Sequence, residues 1–236
     1  MSAEHSVPER HARTALLIGD AGLEMLASCR VVVAGLGGVG GHCTEALARA
    51  GIGRLHLVDM DVVQQSNLNR QLIATKSTLG MKKTEAMRNR LMEVSDCTVT
   101  TAEVFILPDT VAEAVPADAD FIVDAIDTLA GKVALAQFAK EHNIPIISCM
   151  GAGNRLDPAG FYVTDLYKTE GCPLARRFRQ ALRKIGIDHL PVVFSKEPAH
   201  TQPNQTVIGS LAPVPAAAGL VAAGYVIGTL IQKDLD

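Results

Sequence analysis

Short apolar runs alternate along the chain with stretches of helical periodicity. Arg30–Gly35 (RVVVAG) is a β-branched run that ends in glycines and predicts a buried strand, and Gly38–Ala50 predicts the helix after it. Leu55–Asp59 (LHLVD) predicts a second strand and Lys82–Val94 a second long helix, with a weaker strand at Thr98–Thr101. Asp120–Asp124 (DFIVD), a helix over Leu129–His142 and a strand at Pro145–Cys149 continue the alternation. Strands and helices in that order predict an α/β fold, a Rossmann-like, doubly wound, mainly parallel sheet. After Gly151 the rhythm changes. Gly160–Asp165 and Pro191–Ser195 read as strands around a helix over Pro173–Ile185, which predicts a C-terminal antiparallel extension of the sheet. Glu197–Gln205, rich in Pro, His, Asn and Gln, reads as a mobile loop.

With 236 residues and no repeat or linker, the chain reads as one domain over 1–236, a core at 1–150 and an extension at 151–236. Its 22 basic and 25 acidic side chains give a net charge of −3, which excludes a generally polycationic nucleic-acid binder but leaves room for a local basic patch. The five cysteines are Cys29, Cys43, Cys97, Cys149 and Cys172. The number is odd and no pair has C-x-x-C spacing, so neither a disulfide framework nor a zinc site is expected. Reduced thiols point to the cytoplasm. The N-terminus has early acidic residues and only a short apolar run, which does not read as a signal peptide. Val207–Ile231 carries no charge and is long enough to span a bilayer, yet Pro213 and Pro215 interrupt it and Ala and Gly dominate Ala216–Ile231. That composition favours a helix buried in a core or dimer interface over membrane contact.

Chemistry first appears at Gly35-Leu36-Gly37-Gly38-Val39-Gly40, between a predicted strand and a predicted helix. Gly35, Gly37, Gly38 and Gly40 permit a tight turn and bring backbone close to phosphates, while the helix N-terminus offers unpaired N–H groups and a positive dipole end. Asp59, 19 residues after Gly40, stands where an acid accepts a hydrogen bond from a ribose hydroxyl. This much fits NAD, FAD or ATP alike. The next segment, Asp59–Gln71 (DMDVVQQSNLNRQ), is polar and contains Asp61, Asn67 and Arg70. A guanidinium and amides beside the ribose acid suit a triphosphate, since arginine presents a fixed fork of donors to phosphate oxygens. Lys83, at the start of its helix, can reach phosphates as a point charge. Asp124-Ala125-Ile126-Asp127 closes a strand at its carboxyl end, and Asp127 there is suited to hold Mg²⁺.

GLGGVG, LVDMDVVQQSNLNRQ, LGMKKTEA and DAIDT together resemble the adenylating domain of the ubiquitin-activating type, a group that includes the bacterial adenylyltransferases of sulfur-carrier proteins. The resemblance covers roughly Glu9 to Cys149. It implies that Asp59 binds the ATP ribose, that Asn67, Arg70 and Lys83 bind the triphosphate, with Asp61 in the same set, and that Asp127 holds Mg²⁺. It implies a homodimer in which Arg13, in the ERHARTALLIG arm, reaches the partner subunit's ATP. Within this group the carrier-protein enzymes usually carry two C-x-x-C pairs for zinc, and this chain has none. Gly151–Pro158 (GAGNRLDP), Val163–Ile187 and Val192–Ala199 (VVFSKEPA) instead resemble the tRNA threonylcarbamoyladenosine dehydratases, which extends the likeness to nearly the whole chain.

The tail is consistent with that likeness on its own terms. Arg176, Arg177, Arg179, Arg183 and Lys184 fall within nine positions, and no acid lies between Glu170 and Asp188. At 100° per residue Phe178, Leu182 and Ile185 share one face and the basic residues take the remaining arc, which suits a tRNA phosphate backbone. Cys172 stands where some relatives have Asp, and Gly209–Pro215 lacks a cysteine that some relatives carry, so no cysteine is given a chemical role. The expected reaction is ATP-dependent dehydration of the modified adenosine through an activated carboxylate. The alternative is adenylation of a ubiquitin-like sulfur-carrier protein, and a sulfur donor or carrier stays open as a further partner. An NAD-dependent oxidoreductase would explain Gly35–Asp59 but leave Asn67, Arg70 and Lys83 without a task.

Overall fold

The computed structural model describes residues 8–232. Its elements run α1 (Ala12–Ser28), β1 (Arg30–Ala34), α2 (Gly40–Ala50), β2 (Arg54–Val58), α3 (Lys83–Met92), β3 (Thr98–Ala102) and α4 (Val111–Ala114). They continue with β4 (Phe121–Asp124), α5 (Leu129–Glu141), β5 (Ile146–Cys149), β6 (Phe161–Asp165), α6 (Pro173–Lys184), β7 (Pro191–Ser195) and α7 (Pro213–Gln232). Seven strands form one sheet in the order β3-β2-β1-β4-β5-β7-β6. Every pairing is parallel except β6 with β7, so the doubly wound sheet and its antiparallel extension are both present.

The central strands are apolar on both faces because helices cover both. Val31, Val32, Val33, Leu55, Leu57, Phe121, Ile122 and Val123 are all at most 1% exposed, as a parallel sheet requires. On one face α2 and α7 pack with α1 and α3; on the other α4 and α5 cover β1 and β4, and α6 joins α5 over β5 and β7. Strand order reverses between β1 and β4, and the crevice outside their carboxyl ends is the expected ligand position in such sheets.

Two helices depart from the sequence pattern. No element was expected before Arg30, yet α1 occupies Ala12–Ser28, bent at Gly19 where φ is +71°. Only its second half has a core-facing stripe, Leu23 and Leu26, whereas Leu16 and Leu17 are 85% and 87% exposed. The uncharged C-terminal stretch is a 20-residue helix that begins at Pro213 itself, because proline is tolerated in a first helical turn. By length and composition α7 could cross a membrane. Here Val214, Ala218, Ala222, Val226 and Leu230 are fully buried against the fold, in line with the expected buried helix. The helix lies so close to α2 that a Cβ at Gly219 would stand 2.3 Å from the Val39 carbonyl oxygen.

Glu197–Gln205 has no helix or strand, as expected, but it is tethered. Asn154 holds it from several sides: its Oδ1 accepts from the Gly209 N–H (2.6 Å) and the Gln205 amide (2.8 Å), and its carbonyl accepts from the His200 N–H (2.7 Å). Asn154 does this from φ +57°, a conformation asparagine tolerates better than most residues. Glu197 accepts the backbone N–H groups of Leu156 and Asp157, and the first of these bonds above all holds its carboxyl below the usual range.

His56 on β2 is 8% exposed and wedged between β3 and α4. Its Nε2 lies 3.1 Å from the Ala114 carbonyl and its Nδ1 2.8 Å from the Thr100 hydroxyl, so the neutral ring donates at one nitrogen and accepts at the other. Burial, against the Ala114 bond and with help from Arg30, lowers its pKa below 6.5. The unfolded chain therefore takes up this proton first as pH falls, and the stability contributed by the neutral ring is present above about pH 6.5 and lost below it. Thermal denaturation between pH 7.5 and 5.0 should show Tm declining on the acid side, and His56→Gln should flatten that decline while lowering Tm at pH 7.5.

Candidate active site

The carboxyl ends of β1, β2 and β4 open into a cleft of about 380 Å³. Gly35, Gly37, Gly38, Asp59, Asp61, Asn67, Arg70, Lys83 and Asp127 all line it, so residues spread over more than ninety positions meet in one place. Gly40 is not in the lining. It begins α2, where its missing side chain makes room for the Gly35 carbonyl, 1.7 Å from where a Cβ would sit.

The walls are held by hydrogen bonds that the strand ends dictate. Asp59 leaves β2 with Oδ2 accepting from the Leu36 N–H at 2.7 Å and Oδ1 from the Asp61 N–H at 2.9 Å. One carboxylate thus ties the acidic segment to the glycine turn. Lys83, at the start of α3, is 6% exposed; its Nζ lies 2.7 Å from Asp61 Oδ2 and 3.6 Å from Asp59 Oδ2. Its ammonium is held at the cleft between two carboxylates, and Asp61, largely exposed, is the one an incoming anion would displace.

Asn67 is buried in a short 3₁₀ turn with Oδ1 accepting from the Gln64 N–H at 2.9 Å, which leaves its NH₂ as a donor group. Arg70 anchors Nη1 on the Ser66 carbonyl and on Asn69 Oδ1, both at 2.9 Å. Gln71, which the sequence reasoning passed over, is 8% exposed, lines the cleft and has an Oε1 with no hydrogen-bond partner. A buried acceptor left unpaired is costly. At the cleft such an atom is open to a ligand or to water, and the only earlier signal was its place beside Arg70.

Asp124 and Asp127 take different parts. Asp127 is exposed at the cleft. Asp124 is wholly buried and faces the ammonium of Lys132, also wholly buried, with Ser148 beside them. Lys132 has no role in the sequence reading, although it lies three, four and seven positions before Leu135, Ala136 and Ala139 and so shares their buried face of α5. Among the described residues no group of three or more His, Cys, Asp or Glu could hold a metal. Arg13 lies exposed on α1 and does not line its own chain's cleft.

The basic helix forms as expected, with Pro173 in its first turn and Phe178 and Leu182 buried. Arg176, Arg177, Arg183 and Lys184 are exposed, and Arg183 lies over the Tyr167 ring at 5.3 Å. Arg179 turns inward, donating Nη1 to the Leu166 carbonyl at 3.0 Å and the Thr169 carbonyl at 2.6 Å. The thiols of Cys43 and Cys149 are buried; burial first of all raises both pKa values, that of Cys149 to about 12, which keeps them protonated and inert.

A glycine turn feeding a helix, a ribose-height acid and a fork of cations on a doubly wound sheet define a nucleotide-binding α/β protein. Residues 9–236 match the model of the ThiF family, and the chain belongs to that family. The tRNA threonylcarbamoyladenosine dehydratase of Bacillus subtilis (strain 168) is 37% identical over 243 residues, covering 95% of each chain. The crystal structure of the E. coli tRNA N6-threonylcarbamoyladenosine dehydratase with AMP has TM-score 0.90 at 35% identity, covering 96% of this chain and 95% of that one; its ATP complex has TM-score 0.89 at 34% identity. The molybdopterin-synthase adenylyltransferase of E. coli (strain K12) is 34% identical over 136 residues, 58% of this chain and 54% of its own.

Replacing Asp59 by Ala leaves two backbone N–H groups without their acceptor. A loss of about 1 kcal/mol is expected, because the Leu36 N–H is part-buried and its lost acceptor is costly, while water can reach the exposed Asp61 N–H. It is read as a lower urea midpoint at unchanged slope, with Asp59→Asn losing less.

Proposed function

We propose that the chain is an ATP-dependent tRNA threonylcarbamoyladenosine dehydratase. The observation that carries the reading is the match to a dehydratase along 95% of both chains, together with a cleft whose charged set suits ATP. The molybdopterin-synthase relative matches over little more than half of the chain, so adenylation of a carrier protein is the weaker reading. In the proposed arrangement residues 1–150 bind ATP and residues 151–236 face the tRNA in a cytoplasmic homodimer.

The cleft fits the nucleotide on its own chemistry. Phosphate oxygens would lie on the N–H groups at the start of α2, with Arg70 and Lys83 supplying charge. Asp59 would accept from a ribose hydroxyl. As oriented, Gln71 Oε1 would accept from a donor such as a hydroxyl or an ordered water, and with the amide turned its NH₂ would donate instead. Mg²⁺ binds through one or two carboxylates plus substrate phosphates rather than in an all-protein cage. Of the three cleft carboxylates, Asp59 is engaged by the Leu36 and Asp61 N–H groups and Asp61 by Lys83, which leaves Asp127 as the one suited to an ion that arrives with ATP.

A free carboxylate is a poor acyl donor because oxide is its leaving group. In the proposed reaction the threonyl carboxylate attacks the α-phosphorus and pyrophosphate leaves, giving an acyl-adenylate. A nearby nitrogen of the same nucleoside then attacks the activated carbonyl, loses its proton and expels AMP, which carries off the carboxylate oxygen. The protein's task is to hold the two reactants together and offset developing charge. Its four exposed cations on α6, Arg176, Arg177, Arg183 and Lys184, would track the tRNA backbone, while Arg179 shapes the helix's seat. Arg13 would act from the partner subunit, since it stands outside its own cleft beside the exposed Leu16 and Leu17.

Incubation with ATP and tRNA bearing the threonylcarbamoyl group should give a nucleoside lighter by one water, about 18 Da, as ring closure on an activated carboxylate demands. Pyrophosphate release with a sulfur-carrier protein but not with tRNA would instead establish the carrier reading. Lys83→Ala should lower turnover by at least about a hundredfold, as for removal of one transition-state charge contact. Mixing it with Arg13→Ala should restore part of the activity if active sites are shared between subunits. The triple variant Arg176→Glu, Arg177→Glu, Lys184→Glu should weaken tRNA binding and flatten its salt slope by about two to three, each phosphate contact contributing ~0.7–0.9. The stabilisation by ATP should remain, about 2.7 kcal/mol at a hundredfold excess over Kd.

A further inference from the structure

We propose that Lys132 is a positioning residue that locks the carboxyl ends of β4 and β5 together and so fixes the Asp127 turn relative to the tail segment that begins at Met150. It takes the proposed dehydratase reading as its frame. Lys132 projects from α5 into the centre of the molecule, where it is 0% exposed. Its Nζ has four acceptors in reach: Asp124 Oδ1 and Oδ2 and Ser148 Oγ at 3.1 Å each, and the Cys149 carbonyl at 2.8 Å. Ser148 in turn donates to Asp124 Oδ2. A buried ion pair is a weak source of stability, because the cost of removing both charges from water offsets their attraction. What such a pair can supply is geometry.

Both ends of the network lead to function. Asp124 Oδ1 also accepts from the Ile126 N–H at 3.3 Å, inside the turn that carries Asp127 into the cleft. That turn has no slack. The Ala125 carbonyl lies 2.8 Å from where a Cβ on Gly35 would stand, and Ile126 Cδ1 lies 2.6 Å from the corresponding point on Gly131. At the other end the Cys149 carbonyl precedes Met150 and Gly151. The Gly151 carbonyl accepts from Arg155 Nε at 3.1 Å, and Asn154 holds the 197–209 loop. One ammonium therefore joins the wall of the nucleotide cleft to the root of the segment facing the other substrate. No other described lysine is wholly buried.

The test compares Lys132→Met with the pair Lys132→Met/Asp124→Asn, which removes both charges and keeps an acceptor for Ile126. The single variant leaves a buried carboxylate unpaired and should lose Tm sharply; the pair should regain most of it. Hydrogen exchange is read on the pair without substrate, and on Lys132→Gln/Asp124→Asn, whose shorter neutral amide cannot span the Asp124, Ser148 and Cys149 acceptors, in case the pair does not fold. Amides in 125–128 and in 150–155 should exchange at least tenfold faster, while those of β1 and α2 stay at the wild-type rate. On tRNA and ATP, kcat of the pair should fall at least tenfold with KM for ATP within threefold. Wild-type exchange at both segments in whichever variant folds would overturn the proposal, as would wild-type kcat in a refolded pair. The exchange readout needs no turnover, so a wild-type protein inactive on tRNA would remove the dehydratase reading and leave this inference to be decided separately.

Discussion

Everything in the cleft rests on three backbones meeting with no side chain between them. Gly35 turns at φ +90° with the Ala125 carbonyl against it, and Gly40 lies on the Gly35 carbonyl closer than any Cβ would permit. Only there can β1 pass into α2 tightly enough to aim free N–H groups at a ligand. The neighbouring strands then have fixed tasks. β2 ends on Asp59, whose carboxylate latches the Leu36 N–H; β4 ends on a turn pressed against the glycines; and α7 closes the outer side, with Pro215 in contact with the Cβ position of Gly38. A larger residue at Gly35 or Gly40 would disturb all of these at once.

Much of this was legible in the sequence, because the signals were local and periodic. Uninterrupted apolar runs such as Val31–Ala34 and Phe121–Val123 mark strands covered on both faces, and their alternation with helices sets the sheet. The charged positions from Asp59 to Lys83 could be assigned to one site because parallel topology brings successive strand ends to the same edge. The extension of the sheet was read from the change of rhythm after Gly151, and β6 and β7 do pair antiparallel as expected, although a strand–helix–strand order by itself suits a parallel pair.

What escaped the sequence is what depends on tertiary neighbours. The first half of α1 has no buried stripe and hence no period to detect. Arg179 counts with the other cations of α6 until the Leu166 and Thr169 carbonyls are seen to claim it. Asp124 and Asp127 have the same chemistry and differ by three positions, yet Asp124 ends β4 facing Lys132 of α5 and is buried, while Asp127 lies in the turn beyond the strand and is exposed. Gln71 is distinguished by a bond it lacks, which no pattern of residue types encodes.

The seating of α7 on α2 has a consequence for how the molecule comes into being. Val39 and Gly219 touch although about 180 residues separate them, so the glycine turn gains its outer cover from the last helix of the described chain. A nascent polypeptide emerging from the ribosome can pair β1 with β2, and later with β4, while α2 still shows bare apolar surface. Contacts this distant form slowly, because loop closure must come first. The nucleotide site, whose residues all precede α7 in the chain, would thus be among the last parts to mature, and a chain arrested before Pro213 would display both an unfinished cleft and a sticky face to any chaperone nearby.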